Sequence, residues 1–112
     1  MDAPTTLSAT AAELLNQARE HGSAGRAAQT LTGGADRLLR QTLIGLVAGA
    51  ALDEHESPGE ATLYVVSGRI VLRAGTDETE LSAGMHVAIP DSRHSLAALE
   101  DSAILLTVAK TI

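Results

Sequence analysis

The sequence predicts an all-β domain, a sandwich or a closed barrel, preceded by one short α-helix. Three observations carry that prediction. From Arg26 onward, short apolar runs alternate with turns rich in Gly, Asp and Ser, the rhythm of an all-β chain. Upstream, Thr10-x-x-Glu13 has capping-box spacing and opens the stretch ELLNQARE, which Gly22 closes. Hydrophobic residues make up 45% of the 112 residues, enough for one folded domain with a modest core.

Taken in order, residues 1–9 read as a loose arm. A helix is expected over about 11–21, with Ala11, Leu14, Leu15 and Ala18 sharing one face. That apolar face needs a cover, either the β domain or a partner subunit. Strands are expected at 27–32, 37–47, 61–67, 69–74, 78–81, 86–89, 94–99 and 103–109. The turns between them fall at 33–36, 67–68, 74–78, 82–85, 90–93 and 100–102. The arm and helix thus occupy 1–25 and the β domain 26–112. Eight strands at this spacing fit an architecture whose closure removes exposed edges.

Composition narrows the function. With one Tyr and neither Phe nor Trp, the core is built from Leu, Val, Ile and Ala. The chain also lacks the stacking platforms that single-stranded nucleic acids and sugars use. The formal charge is −6 and the eight basic residues are scattered, so no phosphate-tracking stripe exists and no nucleic-acid partner is expected. No cysteine means no disulfide, no thiol catalysis and no thiolate zinc site.

The longest apolar run, LIGLVAGAAL at 43–52, is ten residues with two glycines. A membrane span needs roughly 20. Met1 to Thr10 has neither a basic nor an apolar leader segment, so a soluble cytoplasmic protein is expected, with no membrane partner. Nucleotide and hydrolase signatures are missing: there is no P-loop, no GxGxxG after a strand and no GxSxG. Ser95 adjoins His94, but neighbours along a strand point apart, which disfavours a Ser–His dyad.

The chemistry-bearing stretch is HESPGEATLYVVSG, residues 55–68, followed by Gly84 to His94. Five residues separate Gly49 from His55, Ser57 follows His55 by two, and Gly68 closes the stretch. Five residues likewise separate Gly84 from Pro90, and His94 comes shortly after. These two stretches resemble the consecutive motifs of the cupin family, and the resemblance runs over about residues 37–109.

The resemblance implies a cupin-like β-barrel (a double-stranded β-helix, or jelly roll) that usually holds a divalent metal. His55 and His94 stand at family ligand positions. Ser57 occupies the second-histidine position, and Ala61 stands where the glutamate belongs. Ser92 replaces the later glycine, and His94 arrives one residue early. In a strand, residues two apart share a face, so His-x-His aims two rings at one ion. His55-x-Ser57 keeps the direction but offers a hydroxyl, a poor ligand for transition metals.

Glu60 is the substitute carboxylate. It adjoins Ala61, so it reaches the interior only through a turn at Pro58-Gly59 or a bulge. His55, His94 and Glu60 would together make a two-His-one-carboxylate set for iron, manganese, nickel or zinc.

Each residue also has a plainer reading. His94 fits a polar strand start bonded to a turn carbonyl, and His55 a solvated residue in an acidic loop after Asp53 and Glu54. His86 alternates with Met85, Val87 and Ile89, which are expected in the core, and so belongs on the outer surface. His21 ends the helix, where its charged form complements the dipole. Tyr64 lies on the opposite face from Leu63 and Val65, in a sheet packing or a subunit contact. Asp77, Glu78, Glu80, Glu100 and Asp101 read as solvated turn charges.

Two functional classes follow. One is a binding module that holds a small, largely apolar ligand in a barrel with a reduced or absent metal site. The other is a metal-dependent enzyme of dioxygenase or isomerase type using His55 and His94, with Glu60. As in many small cupins, a homodimer is expected, with the arm and helix at the contact.

Overall fold

The structure, a computed structural model, describes residues 3–21, 23–55 and 59–110, with Ser23 and His55 described by backbone alone. Helix α1 spans Leu7–Glu20. Nine strands follow: β1 (Arg26–Thr32), β2 (Leu39–Leu46), β3 (Ala51–His55), β4 (Gly59–Ser67), β5 (Arg69–Ala74), β6 (Asp77–Ser82), β7 (His86–Ala88), β8 (His94–Ala98) and β9 (Ser102–Lys110). They form a five-stranded sheet in the order β1-β2-β9-β4-β7 and a four-stranded sheet in the order β3-β8-β5-β6, all pairs antiparallel.

The main core lies between the sheets. Leu46, Leu63, Val65 and Ile104 come from the five-stranded sheet, and Ile70, Leu72, Leu81 and Leu96 from the other. All are aliphatic, as the near absence of aromatics requires. Each fully buried Leu, Ile or Val contributes about 1.5–3 kcal/mol of transfer free energy.

A second, smaller core sits on the outer face of the five-stranded sheet, where Leu43 and Ala103 meet Ala11 and Leu14 of the helix. The helix starts a turn earlier than Thr10-x-x-Glu13 predicts: Thr6 is the N-cap, and its side chain makes no capping bond. Leu7, Ala11, Leu14 and Ala18 lie at spacings of four, three and four, one continuous stripe. Leu7 packs against the second core, so burial of its side chain outweighs the capping box.

Gly45, on β2 beneath the helix, is the point of closest approach. A Cβ there would lie 3.0 Å from the Leu14 carbonyl carbon and 3.1 Å from the Leu15 nitrogen. The helix face expected at a subunit contact is therefore already covered by its own sheet.

At Gly68, too, a side chain does not fit. Its φ is +85°, and a Cβ would collide with the Asp101 carbonyl and the Ser102 hydroxyl. Ser102 is fully buried; its Oγ accepts from the Arg69 amide at 3.0 Å and lies 2.8 Å from the Glu100 carbonyl and 3.1 Å from that of Arg69. The hydroxyl thereby pins the β4–β5 turn to the β8–β9 turn.

Candidate ligand site in the barrel

The strand that carries His55 reads as an acidic loop in sequence. Ala51–His55 is nevertheless β3, paired with β8. Leu52 stands opposite Leu96, and His55 opposite His94, so β3 advances three residues while β8 advances two. The extra residue is a β-bulge. In a regular strand Leu52 and His55 would fall on opposite faces, because side chains alternate. The bulge puts His55 across from His94, and Leu52 across from Leu96, a ladder partner two residues along the same face of β8. Glu54, within the bulge, is exposed and pairs with Arg93 at 2.9 Å.

His94 is buried at 4% exposure, one of two buried polar residues among those described, the other being Ser102. Along β8, His94, Leu96 and Ala98 are buried while Ser95 and Ala97 are less so, which places His94 on the core face and Ser95 away from it. His94 Nδ1 lies 2.8 Å from the Ser92 carbonyl. A carbonyl only accepts, so Nδ1 carries a proton, and in the neutral ring Nε2 is the lone-pair nitrogen. The turn carbonyl expected of a plain strand start and the interior placement expected of the motif thus coexist in one residue.

Glu60 goes elsewhere. β4 is in register from Gly59 to Val65, opposite Lys110 to Ile104 of β9, with no shift at Glu60. Ala61, Leu63 and Val65 are buried on the core side, so Glu60, Thr62 and Tyr64 face outward, and Glu60 is exposed. Alternation keeps the carboxylate on the outer face, opposite the one His94 occupies. Ser57, at the second-histidine position, and Pro58, of the turn expected at Pro58-Gly59, lie outside the described residues.

The donor set can be tested against a metal. Transition-metal sites in proteins use three or four side-chain donors. Among the described residues no three His, Asp or Glu side chains converge. The described donors do not compose a resident metal centre.

The other singled-out residues sort as follows. His86 is exposed and pairs with Tyr64 across β7 and β4, both on the outer face, with Tyr64 at 37% exposure. Val87 and Ile89 pack on the main core, but Met85 is exposed, in the turn before β7, where its Sδ lies 3.3 Å from the Ser82 hydroxyl. His21 ends the helix and its ring is exposed beside Glu20.

The acidic residues are less idle than a solvated-turn reading implies. Glu78 pairs with Arg73 at 3.0 Å, and Glu80 and Glu100 both reach Arg69. Asp101 accepts from the Ala48 amide at 2.9 Å and from Arg19 of the helix at 2.7 Å. The Ala48 amide, then Arg19, hold its carboxyl below the usual carboxylate range. Sequence offered no signal for this three-way junction, because its partners are 53 and 82 residues away.

Among the described residues, no helix is long and apolar enough to cross a membrane.

No protein-family model and no curated protein matches the sequence. Solved structures do match. A conserved protein of unknown function from Streptococcus pyogenes is 27% identical, with a TM-score of 0.70 over 78% of this chain and 75% of that one. A cupin superfamily protein from Desulfitobacterium hafniense is 17% identical, with a TM-score of 0.71 over 77% of this chain and 78% of that one. An RmlC-like cupin from Shewanella frigidimarina is 21% identical, with a TM-score of 0.69 over 80% and 79%. The last two likenesses are likenesses of fold.

Proposed function

We propose that this chain, which has the fold of the cupin superfamily, is a binding module that holds a small, largely apolar ligand inside its barrel, oriented by His94. One observation carries the reading. A buried imidazole, fixed by the Ser92 carbonyl so that Nε2 is its lone-pair nitrogen, stands on the face that also carries Leu96 and Ala98. The aliphatic residues beside that ring favour a hydrocarbon ligand. Few aromatic side chains means that planar aromatic ligands find little to stack on.

Metal analysis of the purified protein, repeated on His94→Ala, tests it. Sub-stoichiometric metal in both proteins, with a melting temperature indifferent to added iron, manganese, nickel or zinc, supports the binding module. Stoichiometric metal that disappears with His94→Ala sinks it.

The second reading is a metal-dependent enzyme of dioxygenase or isomerase type, favoured by the direct pairing of the His55 and His94 positions. It requires further donors, and Glu60 serves only if the start of β4 turns over. A homodimer belongs to either reading. Its contact is assigned to the edge strand β1, uncharged from Ala27 to Thr32, because the helix face is already covered. Analytical ultracentrifugation tests it, and a monomer at high micromolar concentration would end that assignment.

A further inference from the structure

Glu60 lines a groove on the outside of the five-stranded sheet, at the end where β4 begins and β7 and β9 finish. The groove has a volume of about 810 Å³ and runs over the lip of the sheet. Leu39 and Ile89 supply apolar wall, Thr62 and Thr107 supply hydroxyls, and Glu60 and Asp91 supply carboxylates. Among the described residues no lysine, arginine or histidine lines it, and His94 is not part of it. Neither carboxylate forms a salt bridge among the described residues, although Glu54, Glu78, Glu80, Glu100 and Asp101 all do.

The lining selects its occupant by exclusion. An anion would meet two negative charges without a compensating cation. A bare divalent metal would find two carboxylates in a space far larger than a coordination sphere, and among the described residues no third acidic or imidazole donor joins them. A neutral hydrocarbon would leave both carboxylates unused at its edge. An alkylammonium satisfies all parts: its three N–H donors suit the carboxylates and a threonine oxygen, and its chain suits Leu39 and Ile89. The Thr107 hydroxyl already accepts from Gln41 Nε2 at 3.3 Å, which leaves it a second lone pair. The volume falls within the range of small-molecule pockets.

We propose that this groove is a binding site for small aliphatic amines in their protonated form, separate from the barrel interior. Charge complementarity carries the choice of occupant over a second copy of the chain or a neutral lipid tail.

Hexylammonium, hexanol and hexanoate, titrated into the full-length protein and followed by amide NMR, make the test. Saturable shifts at Glu60, Thr62, Asp91 and Thr107 with the amine, and much weaker ones with the alcohol and the acid, support the site. Asp91→Asn and Glu60→Gln should together weaken amine binding about fivefold, as the loss of partly exposed ion pairs implies. Raised salt should weaken it further. Equal shifts with hexanol overturn the proposal, as does amine binding unchanged in the double variant. It also falls if the double variant splits a wild-type dimer, because the groove then holds a second copy. Melting curves of both variants confirm that they fold.

Discussion

His55 and His94 are ladder partners on β3 and β8, although three residues separate Leu52 from His55 and only two separate Leu96 from His94. The extra residue in β3 makes that pairing, and it keeps the histidine position in step with the aliphatic pair beside it. Positions directly opposed in an antiparallel pair have Cβ atoms about 4.5–5.5 Å apart. His94→Ala removes a buried ring and leaves the Ser92 carbonyl without its donor. The expected cost is about 1–3 kcal/mol in urea unfolding. A loss within experimental error would mean that the ring contributes nothing to the packed interior.

Gly68→Ala should be among the most damaging single substitutions. The new Cβ meets the Asp101 carbonyl and the Ser102 hydroxyl, at a backbone φ of +85°. Strain at φ and displacement of a backbone carbonyl together predict a loss above about 2 kcal/mol. Ser102→Ala, which deletes the buried hydroxyl and orphans the Arg69 amide, should cost about 1–3 kcal/mol. Thermal melts of the two variants rank them, and a Gly68→Ala melt equal to wild type would refute the tight approach.

The helix should detach before the barrel melts. Leu14 is buried against Leu43 and Ala103, so Leu14→Ala should cost about 2–5 kcal/mol. Gly45→Val, which pushes against the helix backbone from below, should act on the same contact. Hydrogen exchange should then show early loss of protection over 7–20 while β4 and β9 stay protected. Uniform loss across the chain would show that helix and barrel form one cooperative unit.

Asp101 gives stability a dependence on acid. Its folded-state pKa is depressed, first by the Ala48 amide and then by Arg19. The contribution is therefore complete above the unfolded carboxyl value of about 3.9 and disappears as pH falls through the lower folded value. Its side chain is 42% exposed, so the ion pair with Arg19 is worth no more than about 1 kcal/mol at neutral pH. Asp101→Asn keeps an acceptor for Ala48 and removes the charge. It should lower stability near pH 7 and do so less near pH 2, as guanidinium titrations at both pH values would show. An equal loss at both pH values would assign the effect to geometry instead.

The architecture was legible because the punctuation of an all-β chain is local: Ser67-Gly68 and the turn at 82–85 stand where the residues imply. β3 was missed because Asp53 and Glu54 read as loop, whereas pairing with β8 and the Glu54–Arg93 contact hold them in a strand. The helix start was misplaced because a capping box is visible in sequence and the buried contact of Leu7 is not. His94 was identifiable from its motif position, but its proton on Nδ1 depends on where Ser92 folds back. Glu60 shows the limit of matching residue types: a carboxylate of the right kind stands one position from the core face, and alternation sends it outward.

The single tyrosine has a practical consequence. Tyr64 is the chain's entire intrinsic fluorophore set, and it sits half-exposed on the outer surface of β4, on the same face as Thr62 and Glu60. Its emission is thus a built-in reporter for events on the exterior of the sheet. A compound lodged between the sheets should leave that emission dark to its arrival, so one spectrum tells the two compartments apart without a label.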